Sequence, residues 1–340
     1  MPGLPLRGKG GARPCGRARE QHRPPQPQNH PMKTSATSLL TGGAALLLGW
    51  SAAPVRGTIL YASNAGASTI EKFTSDGTRS TFATEAAFSS PEGLAFDSAG
   101  KLYTANSGAN TVTKFTTGGV GSVFGSTGLT SPHGVAFDRA GNLYVANSSG
   151  QSIEKYTPGG AASVFVPPGS GLSTPIGLAF DRNDFLYEAD LGDNRIWKFT
   201  LGGVGSIFAS GGLLNKPTGL AFDSAGNLYV GNLGDFTILK FTIGGVGSVF
   251  ASTGGLSPVG LAFDDAGMLF AVFNNGLIQK FNSLGVGTVF ATGLNNPQYL
   301  AFTTDAGVPL KLANQTPEPA SAALLGLGAL LLAARRRGRR

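Results

Sequence analysis

The chain has 340 residues and a formal net charge of +7, with 13% charged residues, 41% hydrophobic residues and a single cysteine. The positive charge belongs to the two ends, because the stretch from Gly57 to Thr316 holds 13 Lys and Arg against 17 Asp and Glu, a balance of −4. This mildly acidic stretch lacks the basic surface that nucleic acids require. It also lacks Cys15, so a disulfide framework and thiol chemistry are excluded there.

The first 57 residues predict two segments that precede the folded domain. Residues 1–31 are rich in Pro and Arg, and we expect either an incorrectly assigned gene start or a disordered extension. Residues 32–57 begin with Met-Lys, continue with an apolar core at Leu39–Trp50 and end in small residues. This order is typical of a secretory signal peptide, for which signal peptidase is the expected partner.

Six near-copies of the phrase Pro-x-Gly-Leu-Ala-Phe-Asp then follow at spacings of 39 to 43 residues. A fixed period near 40 residues is typical of four-stranded propeller blades. Each unit holds short runs of β-branched and aromatic residues bounded by Gly, Asn, Asp or Pro. No part of the repeat region has a helical period, so the predicted fold class is all-β. The copies begin at Pro91, Pro132, Pro175, Pro217, Pro258 and Pro297.

The two ends of the repeat region complete each other. The stretch before Pro91 holds three strands without a first strand, and the stretch from Pro297 is a first strand without its blade. Pairing them closes a six-bladed propeller over residues 58–304 and removes two open sheet edges. Within each phrase Ala and Phe point to opposite sides of the strand, so each blade offers Ala to one neighbour and Phe to the other. We therefore expect the Phe residues to form the core between blades.

The pattern Pro-x-Gly-Leu-Ala-Phe-Asp, Gly-Asn-Leu-Tyr-Val-Ala-Asn and Ile-x-Lys-Phe resembles the NHL repeat family in every blade. The resemblance implies a propeller that binds protein, RNA or carbohydrate. Related six-bladed enzymes include the gluconolactonase/regucalcin group and peptidyl-hydroxyglycine lyases, and the fold alone does not choose among them. The histidine-rich zinc site of the lyases is not expected, because the exported domain holds only His133.

The C-terminus has a separate composition. Residues 305–316 predict a linker, and residues 317–340 hold an acidic proline motif, an uncharged run from 320 to 334 and an arginine tail. As a short hydrophobic helix the run is about 22 Å long, slightly short of a usual span, and the arginines fit a cytoplasmic flank. The motif residues are Pro317, Glu318, Pro319, Arg335, Arg336 and Arg337.

These three parts together resemble the PEP-CTERM sorting signal of Gram-negative bacteria. The resemblance implies a transient inner-membrane anchor, cleavage by an exosortase near the Pro-Glu-Pro motif, and passage of the domain to the cell surface or outside. An ordinary C-terminal membrane anchor is the alternative.

One face of the predicted disc collects polar residues. The variable residue of Pro-x-Gly lies next to the axis there, and the last residue of strand two lies one strand further out. Oxygen ligands of this kind suit Ca²⁺ or another divalent cation, and the gluconolactonase-like enzymes similarly use Glu, Asn and Asp around an axial metal. The alternative is that Asn147, Asp190 and Asn232 cap turns and that Glu92 and His133 lie in solvated loops. The predicted ligands are Glu92, Asn147, Asp190 and Asn232, with His133 as a candidate base.

The third unit departs most from the repeat and supplies a second, acidic candidate cluster. Glu188 stands where the other units have small or apolar residues, and a carboxylate between blades needs a partner or exposure. Divergence of one blade, with Arg182 or Arg195 as an ion-pair partner, is the alternative to cation binding. The cluster consists of Asp184, Glu188 and Asp193, next to Asp190.

The leading functional hypothesis is an exported, non-catalytic binding or scaffold module of the cell envelope or extracellular matrix, with exopolysaccharide or surface proteins as candidate partners. The alternative is a divalent-metal-dependent hydrolase or lactonase. No Ser/His/Asp set and no phosphate-binding loop stands out in the repeats.

Overall fold

The structure is a computed structural model that describes residues 57–84 and 89–310. These residues form 24 strands in six four-stranded antiparallel sheets, with one 3₁₀ turn at Ala65–Ala67. The predicted extension 1–31, the signal peptide up to residue 56, the C-terminal helix and the sorting residues lie outside the described residues. The predicted linker is described only as far as Leu310.

The strands follow one another at the repeat period. In chain order they are β1 (Thr58–Asn64), β2 (Thr69–Phe73), β3 (Arg79–Ala83), β4 (Pro91–Phe96), β5 (Leu102–Asn106), β6 (Thr111–Phe115), β7 (Gly121–Gly125), β8 (Pro132–Phe137), β9 (Leu143–Asn147), β10 (Ser152–Tyr156), β11 (Ala162–Val166), β12 (Pro175–Phe180), β13 (Leu186–Asp190), β14 (Arg195–Phe199), β15 (Gly205–Ser210), β16 (Pro217–Phe222), β17 (Leu228–Asn232), β18 (Thr237–Phe241), β19 (Gly247–Ser252), β20 (Pro258–Phe263), β21 (Leu269–Phe273), β22 (Ile278–Phe281), β23 (Gly287–Ala291) and β24 (Pro297–Thr304).

The predicted six-bladed propeller is confirmed. Blades one to five are β4–β7, β8–β11, β12–β15, β16–β19 and β20–β23, and blade six joins β24 to β1, β2 and β3. Strand β24 pairs antiparallel with β1, from Thr58 opposite Thr304 to Asn64 opposite Pro297. The chain therefore closes its own ring by pairing its last strand with its first.

The disc has two faces, which we name from the repeated phrase. The proline face is where the first strand of each blade begins, and the aspartate face is where the Phe-Asp turns follow that strand. The turns between the third and fourth strands of each blade also lie on the aspartate face, because successive strands are antiparallel.

The Asp of each phrase builds the first turn of its blade. In blade four, Asp223 Oδ1 accepts the N–H groups of Ala225 and Asn227 at 2.9 and 2.8 Å, and Gly226 adopts a left-handed φ of 85°. A backbone N–H four residues on makes the same bond at Asp97, Asp138, Asp181 and Asp264. The turn explains why Asp and Gly recur at this spacing.

Aromatic rings join neighbouring blades. Tyr103 in β5 lies edge-on between Phe124 of its own blade and Phe137 of the next, at centroid distances of 5.0 and 4.9 Å. The arrangement occurs six times in the described residues, and between blades five and six Phe270 contacts Phe302 of β24 at 5.0 Å. Each such pair contributes about 0.5–1.5 kcal/mol beyond its buried area. The Phe residues are thus the core between blades.

In blades one to five the Lys of the third strand covers one of these rings. Lys240 Nζ lies 5.1 Å from the centroid of the Tyr229 ring and 3.6 Å from Asp223 Oδ2. The ammonium group therefore combines a cation–π contact with an ion pair. This contact gives a physical reason for the repeated Lys-aromatic pair, which the sequence pattern alone did not explain.

Candidate functional site

The polar residues at the ends of the second strands hold loops on the proline face. Asp190 accepts the N–H groups of Ser173 and Thr174, both at 2.8 Å. Asn232 accepts the Asn215 N–H at 2.7 Å, and Asn147 likewise accepts the Thr130 N–H. Each residue thus fastens the loop that leads into the first strand of its own blade. The side-chain oxygens of these three predicted cation ligands are engaged by backbone amides.

Glu92 and His133 meet next to the axis, in neighbouring blades. Glu92 is buried, and its Oε1 accepts hydrogen bonds from the Ser90 and Ser107 hydroxyls at 3.2 and 3.1 Å. Its Oε2 lies 3.5 Å from His133 Nδ1 and has no hydrogen-bond partner in the described part of the chain. The structure therefore brings together two of the residues that the sequence singled out.

Burial drives both of these groups towards their neutral forms. It raises the pKa of Glu92 to about 7, against the lowering effect of the two serine hydroxyls. It lowers the pKa of His133 to about 4. At neutral pH His133 is therefore uncharged, and the Glu92 carboxyl is present in both its protonated and its ionised form. A carboxyl group that titrates near pH 7 can serve as a general acid or base.

Tyr299 is a residue of this region that the sequence reasoning missed. It stands in blade six at the position that glycine occupies in the other phrases, where a Cβ would collide with the backbone of the next blade. Its hydroxyl donates to the Ile176 carbonyl of blade three at 3.0 Å, so the side chain reaches across the axis. Burial and the nearby carboxyls of Glu92 and Glu188 raise the pKa of Tyr299. The degenerate last phrase showed that blade six departs from the repeat, but it did not show that the Tyr299 side chain reaches across the axis.

The second acidic cluster is not brought together. Glu188 is fully buried, and neither of its oxygens has a hydrogen-bond partner in residues 57–84 or 89–310. Asp184 lies in the turn before β13, in the left-handed conformation that Gly adopts in the other blades, and its Oδ1 lies 3.8 Å from Arg139 Nε. Asp193 lies beyond the other end of β13, 3.4 Å from Arg195. The whole strand separates the two aspartates.

Burial and the charge of Asp190 raise the pKa of Glu188 well above its usual range, and the nearby Ile176 backbone offsets only part of the rise. Arg182 and Arg195 are not its partners. Within the residues that the structure describes, no three His, Cys, Asp or Glu side chains form a group that could hold a metal ion.

A large cavity opens on the aspartate face, opposite the polar residues. It has a volume of about 1230 Å³. Its wall is the second half of each first strand, so the repeated Leu-Ala-Phe residues line it, and the turn aspartates stand at its rim. Because the strand periodicity assigned these residues to the core between blades, the sequence reasoning did not predict that they also surround an open funnel. Representative wall residues are Leu94, Val135, Leu178, Leu220 and Leu261.

The end of the described chain reaches this funnel. After β24 the chain turns at Asp305–Gly307 and runs back, with Leu310 N–H donating to the Phe302 carbonyl at 3.3 Å. Val308, Pro309 and Leu310 lie at the mouth of the funnel. The beginning of the chain lies beside them, because Asp305 N–H donates to the Gly57 carbonyl at 2.9 Å.

Solved structures with this fold are diverse. One from the nidogen/laminin complex is 20% identical, with a TM-score of 0.66, covering 76% of this chain and 100% of its own. Virginiamycin B lyase from Staphylococcus aureus is 16% identical, with a TM-score of 0.57 and coverage of 74% and 89%. A putative gluconolactonase is 17% identical, with a TM-score of 0.55 and coverage of 63% and 85%. At these identities the likeness establishes the propeller fold alone, and no curated protein matches the sequence.

The C-terminus is recognised independently of the fold. Residues 315–337 match the family model of the PEP-CTERM protein-sorting motif, which covers all the predicted sorting residues. The chain is therefore a six-bladed β-propeller that carries a PEP-CTERM sorting motif, and this motif supports export to the cell envelope or surface. Among the described strands and turns there is no helix of the length and apolarity needed to cross a membrane.

Proposed function

We propose that this protein is an exported binding module of the bacterial cell surface, and that it takes its ligand in the axial funnel of the aspartate face. The sorting motif supports the route: export, a transient anchor in the inner membrane of a Gram-negative cell, cleavage by an exosortase near Pro317-Glu318-Pro319, and release to the surface or the extracellular matrix.

The observation that carries the proposal is the apolar wall of the funnel. A cavity of about 1230 Å³ is large enough for a ligand of drug size or for a chain segment, and binding sites typically combine an apolar wall with few polar groups. The rim aspartates already cap their own turns. The wall therefore favours a ligand with apolar groups, such as a surface-protein segment, over an exopolysaccharide that needs many hydrogen bonds.

The test blocks the mouth of the funnel without touching the core. Ser98 and Ser224 are exposed on the turns of two opposite blades, and both line the cavity. The wild-type propeller and the double variant Ser98→Trp/Ser224→Trp are screened by thermal shift against apolar peptides, amphiphiles and oligosaccharides. A ligand stabilises the folded state by mass action, by about 2.7 kcal/mol at 100 times its Kd.

We expect ligands of the apolar classes to raise the melting temperature of the wild type, and we expect the double variant to show no such shift. Ser149 is exposed outside the funnel, so Ser149→Trp is the matched control and keeps the hits. Ligands that still bind the blocked variant would place the binding site elsewhere and count against the proposal.

A divalent-metal-dependent hydrolase or lactonase is the second candidate, favoured by Glu92 alone. Its carboxyl has a pKa near 7, a free oxygen and a histidine neighbour, and perturbed groups of this kind cluster at functional sites. Elemental analysis and calcium titration calorimetry of the purified propeller test it. One tightly bound ion, lost together with lactone hydrolysis in Glu92→Ala, would favour the enzyme. If the calcium titration gave no heat of binding, the hypothesis of a metal-dependent enzyme would be rejected.

A further inference from the structure

The aspartate face carries a row of exposed apolar side chains at the tips of the turns between the third and fourth strands. Each turn follows the pattern Gly-Gly-Val-Gly or a variant of it. Val204 and Val246 are 70% and 71% exposed, and Leu284 is 82% exposed. We call the six residues of blades three, four and five the apolar tips: Leu201, Val204, Ile243, Val246, Leu284 and Val286.

These side chains are not needed for the turn. In blade four the Thr242 N–H donates to the Val246 carbonyl at 3.0 Å and the Thr242 hydroxyl accepts the Val246 N–H at 3.2 Å, so the backbone and Thr242 make the turn. The turn of blade six has the same shape with polar tips, Ser75, Asp76 and Thr78, and a matching bond between Thr74 N–H and the Thr78 carbonyl. Apolar tips in three adjacent blades therefore reflect something other than folding.

The proline face is different. Among the described residues, its exposed large apolar side chains are Leu213 and Phe236, which are 40% and 41% exposed. The apolar tips are more numerous and more exposed, and they belong to three adjacent blades. Elsewhere on the aspartate face, the equivalent turn of blade one exposes Val120 (65%). An exposed apolar patch of this kind marks a contact surface.

The charges on the same half of the face nearly balance, with exposed Arg182 and Asp265 opposite in sign on the turns of blades three and five. Lys198, Lys240 and Lys280 lie 4.0, 3.6 and 3.7 Å from the turn aspartates of blades three, four and five. The half of the face that carries the apolar tips therefore presents little net negative charge to an approaching surface.

Both ends of the described chain leave from this face. Gly57 and Asp305 are hydrogen-bonded to each other there, and Leu310 lies at the funnel mouth. The uncharged run of the sorting segment begins ten residues later, at residue 320. Ten extended residues span at most about 36 Å. While that run is in a membrane, the aspartate face is the face tethered close to the bilayer.

We propose that the apolar tips dock the aspartate face on the lipid bilayer. Leu, Ile and Val side chains at a membrane surface bury their apolar area in the interface, and this contact adds to the anchor in the way that a second membrane signal does. The orientation rests on the proposed sorting route, whereas the affinity of the tips for lipid does not. In the docked state the funnel opens onto the bilayer, and release from the membrane exposes it to the medium.

The test uses the propeller without either end, residues 57–315, because its strands close the ring among themselves. Vesicles of phosphatidylethanolamine and phosphatidylglycerol are floated with the wild type and with a variant in which all six apolar tips are Ser. The matched control is Leu213→Ser/Phe236→Asn on the proline face. We expect the bound fraction to fall at least tenfold in the tip variant and to be unchanged in the control.

Binding that persists in high salt would support an apolar contact, since electrostatic attraction to lipid is screened. Equal flotation of the tip variant and the control would overturn the proposal, as would a wild type that does not float. Tip-dependent self-association without flotation would make the surface a contact between copies and would equally overturn it. Ligand binding in the funnel and sorting in cells are separate readouts, so their failure would count against the proposed function only.

Discussion

Glu188 of blade three places a carboxyl group between two blades. The corresponding residues of the other five blades are small or apolar. Glu188 is fully buried, and its pKa is raised well above the usual range by burial and by Asp190. The folded protein keeps the proton that the unfolded chain loses at its ordinary pKa. The stability contribution of this group is therefore complete below about pH 4.5 and declines as the pH rises towards the folded pKa.

We expect Glu188→Val, which restores the residue of blades two and four, to raise the free energy of unfolding by about 1–3 kcal/mol at pH 8, because a buried polar group without a partner is costly. Urea unfolding between pH 5 and pH 8 measures it, and the decline with pH should become shallower in the variant. Asp193→Asn is the control at an exposed carboxylate of the same blade. A variant that is less stable than the wild type across this range would contradict the argument.

Glu92 and His133 make opposite contributions to the pH dependence. The pKa of Glu92 is raised to about 7, so its contribution is lost between about pH 4.5 and pH 7. The pKa of His133 is lowered to about 4, so its contribution is gained between about pH 4 and pH 6.5. The two trends offset each other in the wild type over most of this interval.

We expect Glu92→Gln to reveal the stability contribution of His133, which Glu92 offsets in the wild type. The amide can still accept from the two serine hydroxyls, and the stability of the variant relative to the wild type should grow from pH 4.5 to pH 7 by up to about 3 kcal/mol, then level off. Chemical unfolding at matched pH values tests this. In His133→Gln the stability should instead fall with rising pH over the same interval. A constant difference between Glu92→Gln and the wild type would show that Glu92 has an ordinary pKa.

For single residues, the sequence could predict where a side chain lies but not which groups surround it. The departure of Glu92, His133 and Glu188 from the repeat was visible, and so was their place near the proline face or between blades. The amide that engages Asn147, Asp190 or Asn232 lies two residues before the Pro of the same phrase. The residue at that place differs from blade to blade, and a backbone N–H leaves no mark on the residue type. The sequence therefore could not separate the predicted ligand set from structural caps.

Among the elements, the first strand has two roles that the alternation of its side chains does not separate. Its Phe and Ala residues pack between blades, as the period of two predicts. Its edge also faces the axis, so the same residues line the funnel. The periodicity gives the side of a strand on which a residue lies, but the width of the central channel depends on how six blades converge.

Strand β24 differs from the other first strands at Tyr299. We expect Tyr299→Phe to destabilise the protein by about 0.5–1.5 kcal/mol, because it removes one buried hydrogen bond to Ile176. Tyr299→Gly restores the repeat residue but also removes a buried ring, which costs about 3–5 kcal/mol. Chemical unfolding of both variants separates the bond from the ring. Equal stability of the glycine variant and the wild type would mean that the ring across the axis contributes nothing.

Across the whole molecule, stability depends on closing the ring. The repeat count and the incomplete units at the two ends were enough to predict this closure, because pairing those ends is the one arrangement that leaves no first strand unpaired. The seam, where β24 pairs with β1, is built from the same contacts as the other interfaces. Phe290 of blade five packs against Phe73 of β2 at 6.2 Å, as Phe82 packs against Phe115 at 6.0 Å. The ring therefore has no specialised junction, and any blade could in principle carry the seam.

Moving the seam tests this equivalence. Gly57 and Leu310 both lie on the aspartate face, so a short Gly/Ser linker can join them, and new ends can be opened between Gly118 and Gly119 in an exposed turn of blade one. We expect this circular permutant to stay monomeric and to unfold in one cooperative transition near the wild-type temperature, because blade one is then closed by strands from both ends. Deleting residues 297–310 instead removes β24 and exposes the edge of β1, so the truncated chain should aggregate or unfold without cooperativity. Light scattering and thermal unfolding compare the two. If the truncated chain were as stable as the permutant, ring closure would not be what holds the propeller together.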